Sequence, residues 1–419
     1  MKNIIAILVV LMATLSLAQK TPTANSSPAE RAIAQAQTAI AKKPNQCDGY
    51  NQLAIALARR ARETSDVKFY AQAEEALKKS LGLSPDNLDA QKIHIWLLLG
   101  RHEFSAALDD AKTLNRRIPD DVLVYGFLVD ANAELGNYKD AETAAQWMLN
   151  LRPGNLPGLT RAAYLRELFG DVDGALELMK MAYQSTPPTE NEDGAWILTQ
   201  MGHLRLSEGY TAEAEALLQQ ALQKFSGYHY ALGNLAKVTI MEHRYTDAIE
   251  LLRKRYDAAT HAENLYDLAE ALDLAGRSSE ARKAFADFEI KSLAESVRAD
   301  NSNRELIFYY ADHAHQPAKA LEVAQKEFAR RHDVYTLDAY AWALHVNGHN
   351  SEARKQIETA LSVGIRDAKM LRHAGEIALS LGDQVAAECF LQDAAALNAP
   401  GSEQARATLA SFPQSAQNR

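Results

Sequence analysis

Alanines and larger apolar residues return along this chain in a fixed relation. An alanine recurs ten times at intervals of 33, 34 or 39 residues, and the residue four positions after it is always apolar. The alanines are Ala73, Ala107, Ala141, Ala175, Ala214, Ala248, Ala281, Ala320, Ala353 and Ala387, followed by Leu77, Ala111, Ala145, Met179, Leu218, Leu252, Phe285, Ala324, Ile357 and Leu391. Because positions i and i+4 share one face of an α-helix, each pair predicts a helix that packs by that face.

A turn residue precedes each of these helices. Five positions before the alanine, glycine stands at Gly136, Gly170, Gly209, Gly276, Gly348 and Gly382, histidine at His102, His243 and His315, and lysine at Lys68 in the first repeat. Glycine adopts the left-handed backbone that ends one helix and lets the next begin. A second apolar-periodic stretch lies upstream of each turn, for example at residues 124–135. The repeating unit is therefore helix, turn, helix, turn.

Two helices of this length cannot bury their apolar faces alone, so the units must stack on one another. The pattern predicts an all-α solenoid of about ten antiparallel helix pairs over residues 29–410, with short capping helices near 29–42 and 403–410. Extra residues after Glu63 and before the fifth and eighth repeats predict longer helices, loops or hinges.

The repeat resembles the tetratricopeptide repeat (TPR) family. The signature positions of that family are clearest from 122 to 155 and are occupied by Tyr125, Leu128, Gly136, Tyr138, Ala141, Ala145 and Pro153. Other repeats depart from the signature: Ser226 and Thr260 replace the proline, and Arg255 and Glu327 stand at helix-contact positions. The resemblance implies a superhelix whose first helices line a concave groove for an extended peptide or a partner's helix.

The N-terminus predicts export. Lys2 is followed by an apolar run from Ile4 to Leu17, and residues 16–18 suit a signal-peptide cleavage site, so residues 1–18 are expected to be a signal peptide. The run is shorter than a membrane-spanning helix needs, and no later segment is apolar enough to span. We expect a bacterial protein of the periplasm or the extracellular space. Residues 19–28 and 411–419 lack apolar periodicity and are expected to be disordered.

Charge and cysteine content limit the partners. Without Lys2 the mature chain carries 44 basic and 54 acidic residues, a formal net charge of −10. Nucleic acids and anionic lipids bind concentrated positive surfaces, so neither is expected as a partner. Cys47 and Cys389 stand near opposite ends of an elongated fold and are expected to be two isolated thiols.

The sequence holds no recognisable catalytic motif. It lacks HExxH, GxSxG, CxxC and a glycine-rich phosphate loop, so we expect neither an enzyme nor a cofactor. The alternative is a periplasmic metal-handling or catalytic protein that uses Asp312, His313 and His345, because imidazole and carboxylate ligands bind zinc or copper. His313 and His315 are two positions apart and cannot share one helix face.

Aromatic and charged residues alternate on the expected inner wall. Such a surface suits recognition by a few anchors within a polar surround. The predicted partner-binding residues are Tyr164, His203, Tyr230, Lys237, Tyr266, Glu270, Tyr309, Trp342 and Arg372. The leading hypothesis is a non-enzymatic exported scaffold that binds a protein or peptide in this groove. A purely structural spacer remains open, because an aromatic residue at helical spacing also serves helix packing.

Overall fold

The computed structural model describes residues 27–64, 66–296, 301 and 303–411. The predicted signal peptide, most of the predicted leader and residues 412–419 lie outside them. Every regular element in this part of the chain is helical. The helices are α1 Pro28–Lys42, α2 Cys47–Thr64, α3 Lys68–Leu83, α4 Leu88–Gly100, α5 Phe104–Arg117, α6 Val122–Glu134, α7 Tyr138–Leu151, α8 Leu156–Leu168, α9 Val172–Ser185, α10 Asn191–Ser207, α11 Thr211–Lys224, α12 His229–Met241, α13 Tyr245–Ala258, α14 Ala262–Leu274, α15 Ser278–Glu295, α16 Asn303–Phe308, α17 Pro317–Phe328, α18 Val334–Val346, α19 Asn350–Leu361, α20 Ala368–Ser380, α21 Gln384–Ala396 and α22 Ser402–Ala410.

These helices form ten antiparallel pairs, which confirms the predicted solenoid. In each repeat the first, even-numbered helix from α2 to α20 is called the A helix, and the following odd-numbered helix is the B helix. A π-helical turn at Tyr309–His313 continues α16 and completes the A helix of repeat 8. The flanking helices α1 and α22 pack on the first and last repeats.

The recurring alanines lie where the helices of a repeat cross. Nine of the ten are wholly inaccessible to solvent, and Ala281 is 2% exposed. The apolar residues four positions later are all buried as well. The glycine and histidine turn residues have the predicted left-handed backbone, with φ of +77° at Gly136 and +59° at His102, whereas Lys68 is the first residue of α3. The spacing of small residues therefore located both the core and the turns.

The irregular repeats keep this architecture. The extra residues lengthen three helices, because α2 and α15 have 18 residues each and α10 has 17. The charged residues at contact positions are paired: the guanidinium of Arg255 binds Asp267, and Arg331 Nε lies 2.8 Å from a carboxylate oxygen of Glu327. A buried charge is tolerated when a partner compensates it.

The solenoid winds into a tight superhelix. One apolar cluster contains residues of repeats 2, 3 and 4 together with residues of repeats 9 and 10, including Phe127, Leu165, Leu337 and Met370. Repeats that are distant in sequence thus meet in one core. Because each A helix buries residues on most of its faces while each B helix buries one stripe, the A helices lie inside the superhelix and the B helices outside.

Two further findings concern the whole described part of the chain. Both Cys47 and Cys389 are free thiols. Among the described helices, none combines the length and the apolar character that a membrane crossing requires.

Candidate binding surface inside the superhelix

Polar and aromatic side chains on the A helices, and at the N-cap of α20, act on one another between repeats inside the superhelix. We call this set the inner surface. It comprises Glu134, Tyr164, Glu167, His203, Tyr230, Lys237, Glu263, Arg304, Glu305, Tyr335, Asp367 and Lys369.

Groups from distant repeats share this surface. Burial, followed by the carboxylate of Glu134 on α6 and the hydroxyl of Tyr335 on α18, raises the pKa of Tyr164 on α8. The Arg304 guanidinium on α16 also acts on Glu134, 170 positions earlier in the sequence. Repeats 3, 4, 8 and 9 are therefore neighbours across the axis of the superhelix.

Burial disfavours the anionic form of three carboxyl groups on the inner surface, and nearby cations do not fully offset this effect. Burial and then Asp333 raise the pKa of Glu134 to about 7. Burial and then Glu263 raise the pKa of Glu305, and burial also raises the pKa of Asp367. A raised carboxyl pKa means that the protein disfavours the anion at that place. A cationic group that enters the inner surface would relieve this penalty.

Two of the three cations on the inner surface already have partners. The Arg304 guanidinium lies 3.5 Å from an oxygen of Asp333, and the Lys369 ammonium lies 3.3 Å from the centre of the Phe308 ring. The desolvated cation over a ring gains from the negative face of the aromatic system. Neither side chain is free to bind an anionic ligand without losing an existing contact.

His203 and Lys237 lie on the inner surface as expected. His203 Nε2 is 2.7 Å from Oε1 of Glu167, which belongs to the preceding repeat. Burial lowers the pKa of His203, but the Glu167 carboxylate outweighs it, so the net pKa is raised. Lys237 is exposed, and its charge acts on the same imidazole. The structure therefore brings these two predicted residues together.

Tyr164 and Tyr230 are also on the inner surface. Both are half-buried, and burial is the largest cause of the raised pKa of each phenol. For Tyr230 the next cause is the carboxylate of Glu263. Their rings combine apolar area with a polar edge, which is the chemistry of an interface anchor.

Tyr266 and Trp342 lie elsewhere than predicted. They are 7% and 6% exposed, respectively. The ring of Tyr266 meets that of Phe285 at 5.9 Å between centroids, and Trp342 stacks on His373 at 4.2 Å. The indole N–H of Trp342 donates to Asp312 at 2.7 Å. Both rings pack between repeats, and neither is available as an anchor on the inner surface.

The remaining predicted residues bind their neighbours within the repeat stack. The hydroxyl of Tyr309 donates to Glu289 on the preceding B helix at 3.3 Å. Arg372 binds Glu376 at 2.6 Å and lies over the ring of Trp342. Glu270 accepts a hydrogen bond from His313, which lowers the pKa of Glu270 against the raising effect of burial.

The histidines of the alternative metal-binding hypothesis form hydrogen bonds with other side chains. His313 is bonded to Glu270, and His345 Nδ1 lies 2.8 Å from the side-chain oxygen of Asn350. In residues 27–64, 66–296, 301 and 303–411, no three His, Cys, Asp or Glu side chains converge as metal ligands.

Several inner-surface residues were not predicted from the sequence. An alignment of the repeats on their turn residues would have identified some of them. Tyr230 stands thirteen positions before the turn residue of its repeat, and Glu263, Tyr335 and Lys369 stand thirteen positions before Gly276, Gly348 and Gly382. The first turn of the A helix thus belongs to the inner surface. Arg304 and Glu305 stand eleven and ten positions before His315 and fall outside this register; their repeat also contains the π-helical turn Tyr309–His313.

Comparison with known proteins supports the architecture. No protein-family model and no curated protein matches this sequence. A monomeric mutant of human IFIT1 with Gppp-AAAA is 15% identical over 87% of this chain and 86% of its own, with a TM-score of 0.51. The fold is that of a tetratricopeptide-repeat solenoid.

Two other solved structures match with lower TM-scores. A chain of the APC/C hetero-tetramer Cut9-Hcn1 is 13% identical, with a TM-score of 0.47; the match covers 83% of our chain and only 58% of that one. TTC0263, a thermophilic TPR protein of Thermus thermophilus, is 21% identical over 45% of this chain and 99% of its own, with a TM-score of 0.39.

Proposed function

We propose that this TPR solenoid is a non-enzymatic scaffold that binds an extended segment of a protein partner on its inner surface. The observation that carries the proposal is the inner surface, in which the half-buried Tyr164, Tyr230 and Tyr335 lie among carboxylates of other repeats. These tyrosines offer ring faces, and the polar groups around them satisfy the backbone of a bound chain.

The charge of the inner surface favours a basic segment. Glu134, Glu305 and Asp367 each have a raised pKa because burial is not fully compensated by cations. A lysine or arginine side chain placed among them would add the missing positive charge. The partner segment is therefore expected to carry basic residues.

The same charge disfavours RNA. The IFIT1 structure contains Gppp-AAAA, so a solenoid of this kind can hold a nucleotide chain. Phosphates need several unpaired cations. Of the three cations on the inner surface, Arg304 and Lys369 are already engaged, and the surrounding carboxylates repel a polyanion. RNA binding is the outcome that would replace the peptide proposal.

A charge-matched pair of variants tests the site. Fluorescence anisotropy is measured with a labelled peptide of alternating lysine and serine, with its glutamate counterpart and with an oligoadenylate. We expect the lysine peptide to bind, and Glu263→Gln with Glu305→Gln to weaken it about tenfold, or about 1.4 kcal/mol. Glu322→Gln with Asp287→Asn makes the same change in net charge at exposed B-helix positions and should have little effect. Equal weakening by both pairs, or tighter binding of the oligoadenylate, would contradict the proposal.

The export of the protein is part of the proposal. The N-terminal apolar run with its cleavage pattern supports a location in the periplasm or outside the cell. The test is N-terminal sequencing of protein recovered from a periplasmic fraction, where a mature start at Gln19 is expected. Recovery of a chain that retains Met1 from the cytoplasm would contradict it.

A further inference from the structure

Successive windings of the superhelix touch along a line that joins distant repeats. The turns between A and B helices in repeats 3, 4 and 5 carry Gly136, Gly170 and Gly209. They meet, in the same order, the loops before α18, α20 and α22, at His332, Gly364 and Asn398. We call these contacts the seam. The contact advances by one repeat on both sides, so the seam follows the superhelix.

The seam turns approach the opposite loops more closely than a side chain allows. A Cβ on Gly136 would lie 2.7 Å from the carbonyl oxygen of His332, and one on Gly170 would lie 2.5 Å from that of Gly364. Gly348 and Gly382 occupy the same turn position in repeats 9 and 10, with nearly the same φ, yet a Cβ there would meet nothing within 4 Å. Close approach is therefore a property of the seam and not of the turn.

Few polar contacts cross the seam. The hydroxyl of Tyr138, two residues after Gly136, accepts a hydrogen bond of 2.9 Å from the backbone N–H of Val334. The Arg331 guanidinium lies 3.6 Å from a carboxylate oxygen of Glu134. A cavity of about 250 Å³ remains between the two sides and is lined by Asp171 and Tyr210 on one and Arg366 on the other.

The seam is weaker than the interfaces between successive repeats. Helices of neighbouring repeats pack along their length, whereas across the seam turns meet loops, one apolar cluster is shared with repeats 9 and 10, and a cavity remains. Free energies of local opening are lowest where few apolar contacts are lost. A small rotation at each repeat interface also adds up along a solenoid, so the seam can part while every repeat stays folded.

We propose that the seam is the opening through which a partner segment enters the inner surface. Behind it lie Glu134, Tyr164 and Tyr335, whose surroundings already remove much of their water. The inference rests on the proposed function for what enters, but the opening itself is measured without a ligand.

A wedge at the seam tests the opening. Gly136→Ala is compared with Gly348→Ala, since both impose the same left-handed strain and only the first meets a neighbour. We expect Gly136→Ala alone to increase the radius of gyration in X-ray scattering. It should also speed hydrogen exchange of the segment containing the Val334 amide about tenfold. The association rate of the lysine–serine peptide should rise, because entry no longer waits for opening.

A milder pair of variants keeps the test valid if the Gly136→Ala protein does not fold. Tyr138→Phe removes the hydroxyl that accepts from Val334 across the seam. Tyr245→Phe removes a hydroxyl that pairs with His243 inside its own turn and serves as the control. Tyr138→Phe should speed both exchange and peptide association, and Tyr245→Phe neither.

The outcomes separate the two proposals. Equal exchange and equal association rates for the seam variants and their controls would overturn the opening. So would faster exchange with an unchanged association rate, because the peptide would then enter elsewhere. If no peptide binds any form while Gly136→Ala still expands the protein, the proposed function fails, whereas the opening of the seam stands.

Discussion

His203 and Glu167 form an imidazole–carboxylate pair between consecutive repeats, with 2.7 Å between Nε2 and Oε1. Burial opposes the charged imidazole, but the carboxylate prevails and raises the pKa of His203 above its ordinary value of 6.5. A raised histidine pKa stabilises the fold below the unfolded pKa, and this contribution is lost as pH rises through the folded pKa.

We therefore expect His203→Gln to lower the free energy of unfolding at pH 5.5 and to have almost no effect at pH 8.5. Because the imidazole is 36% exposed, solvent screening limits the difference to about 0.5 kcal/mol. Guanidinium unfolding at several pH values measures it, and Glu167→Gln should show the same profile. A loss of stability that grows with pH would contradict the pairing.

Glu134 predicts a fall in stability in the same direction of pH, but here the fold penalises an anion instead of favouring a cation. Burial and the nearby Asp333 raise its pKa from 4.5 to about 7, so the folded state holds a proton that the unfolded chain has released. The free energy of unfolding should therefore fall as pH rises from about 4.5 to about 7. Glu134→Gln should remove this fall and stabilise the protein at pH 8 by on the order of 2 kcal/mol.

The control for Glu134 is Glu142, an exposed carboxylate on α7. Glu142→Gln should keep the wild-type pH profile of unfolding. A Glu134→Gln protein that is no more stable than wild type at pH 8 would show that Arg331 compensates the carboxylate fully.

The spacing of alanines predicted the repeat architecture because the contacts that it reports are local. Ala141 and Ala145 are separated by one helical turn, and the helices that they join are adjacent in sequence. Such contacts need no knowledge of the rest of the chain. The number of repeats, the left-handed turns and most of the core followed from this pattern.

The seam could not be predicted in the same way. The contact of Gly136 with His332 depends on the small rotation at every intervening repeat interface. No residue type records that sum, and Gly348 occupies the same turn position without any neighbour. The sequence can show that a turn needs a glycine. It cannot show which of these glycines contact a loop of a distant repeat.

The inner surface was predicted only in part, for a related reason. The inward face of an A helix borders the face that packs on the next repeat, and a shift of one residue separates them by about 100°. Tyr230 points to the axis, whereas Tyr266 lies in the core beside Phe285. Periodicity alone does not resolve two adjoining faces that both accept aromatic residues.

Close packing at the recurring alanine can be tested within one helix. On α11, Ala214 is wholly buried, while Ala216 is exposed. Ala214 lies where α10 approaches, because a Cβ on Gly202 would be 3.4 Å from its carbonyl oxygen. Ala214→Met should lower the free energy of unfolding by about 1–3 kcal/mol through overpacking. Ala216→Met should change it by less than about 0.5 kcal/mol. Urea unfolding measures both, and equal effects would contradict a close crossing at Ala214.

Glu192 links the first repeat to the middle of the solenoid. Its carboxylate is wholly buried, accepts a hydrogen bond of 3.0 Å from the hydroxyl of Tyr228 and binds the guanidinium of Arg62 on α2. Glu190 binds Arg59 beside it but is 37% exposed. The buried member of such a cluster contributes far more to stability than the exposed one, because its partners lose water and cannot regain it locally.

Glu192→Ala should therefore cost about 3–5 kcal/mol at this contact, and Glu190→Ala less than about 1 kcal/mol. Because a solenoid is stabilised mainly between neighbours, the loss should release repeat 1 before the rest unfolds. Hydrogen exchange by mass spectrometry should show faster exchange in α2 and α3 of Glu192→Ala, with α14 to α20 unchanged. Uniform acceleration along the chain would mean that the contact stabilises the whole superhelix cooperatively, and no acceleration would mean that repeat 1 is held by its apolar core alone.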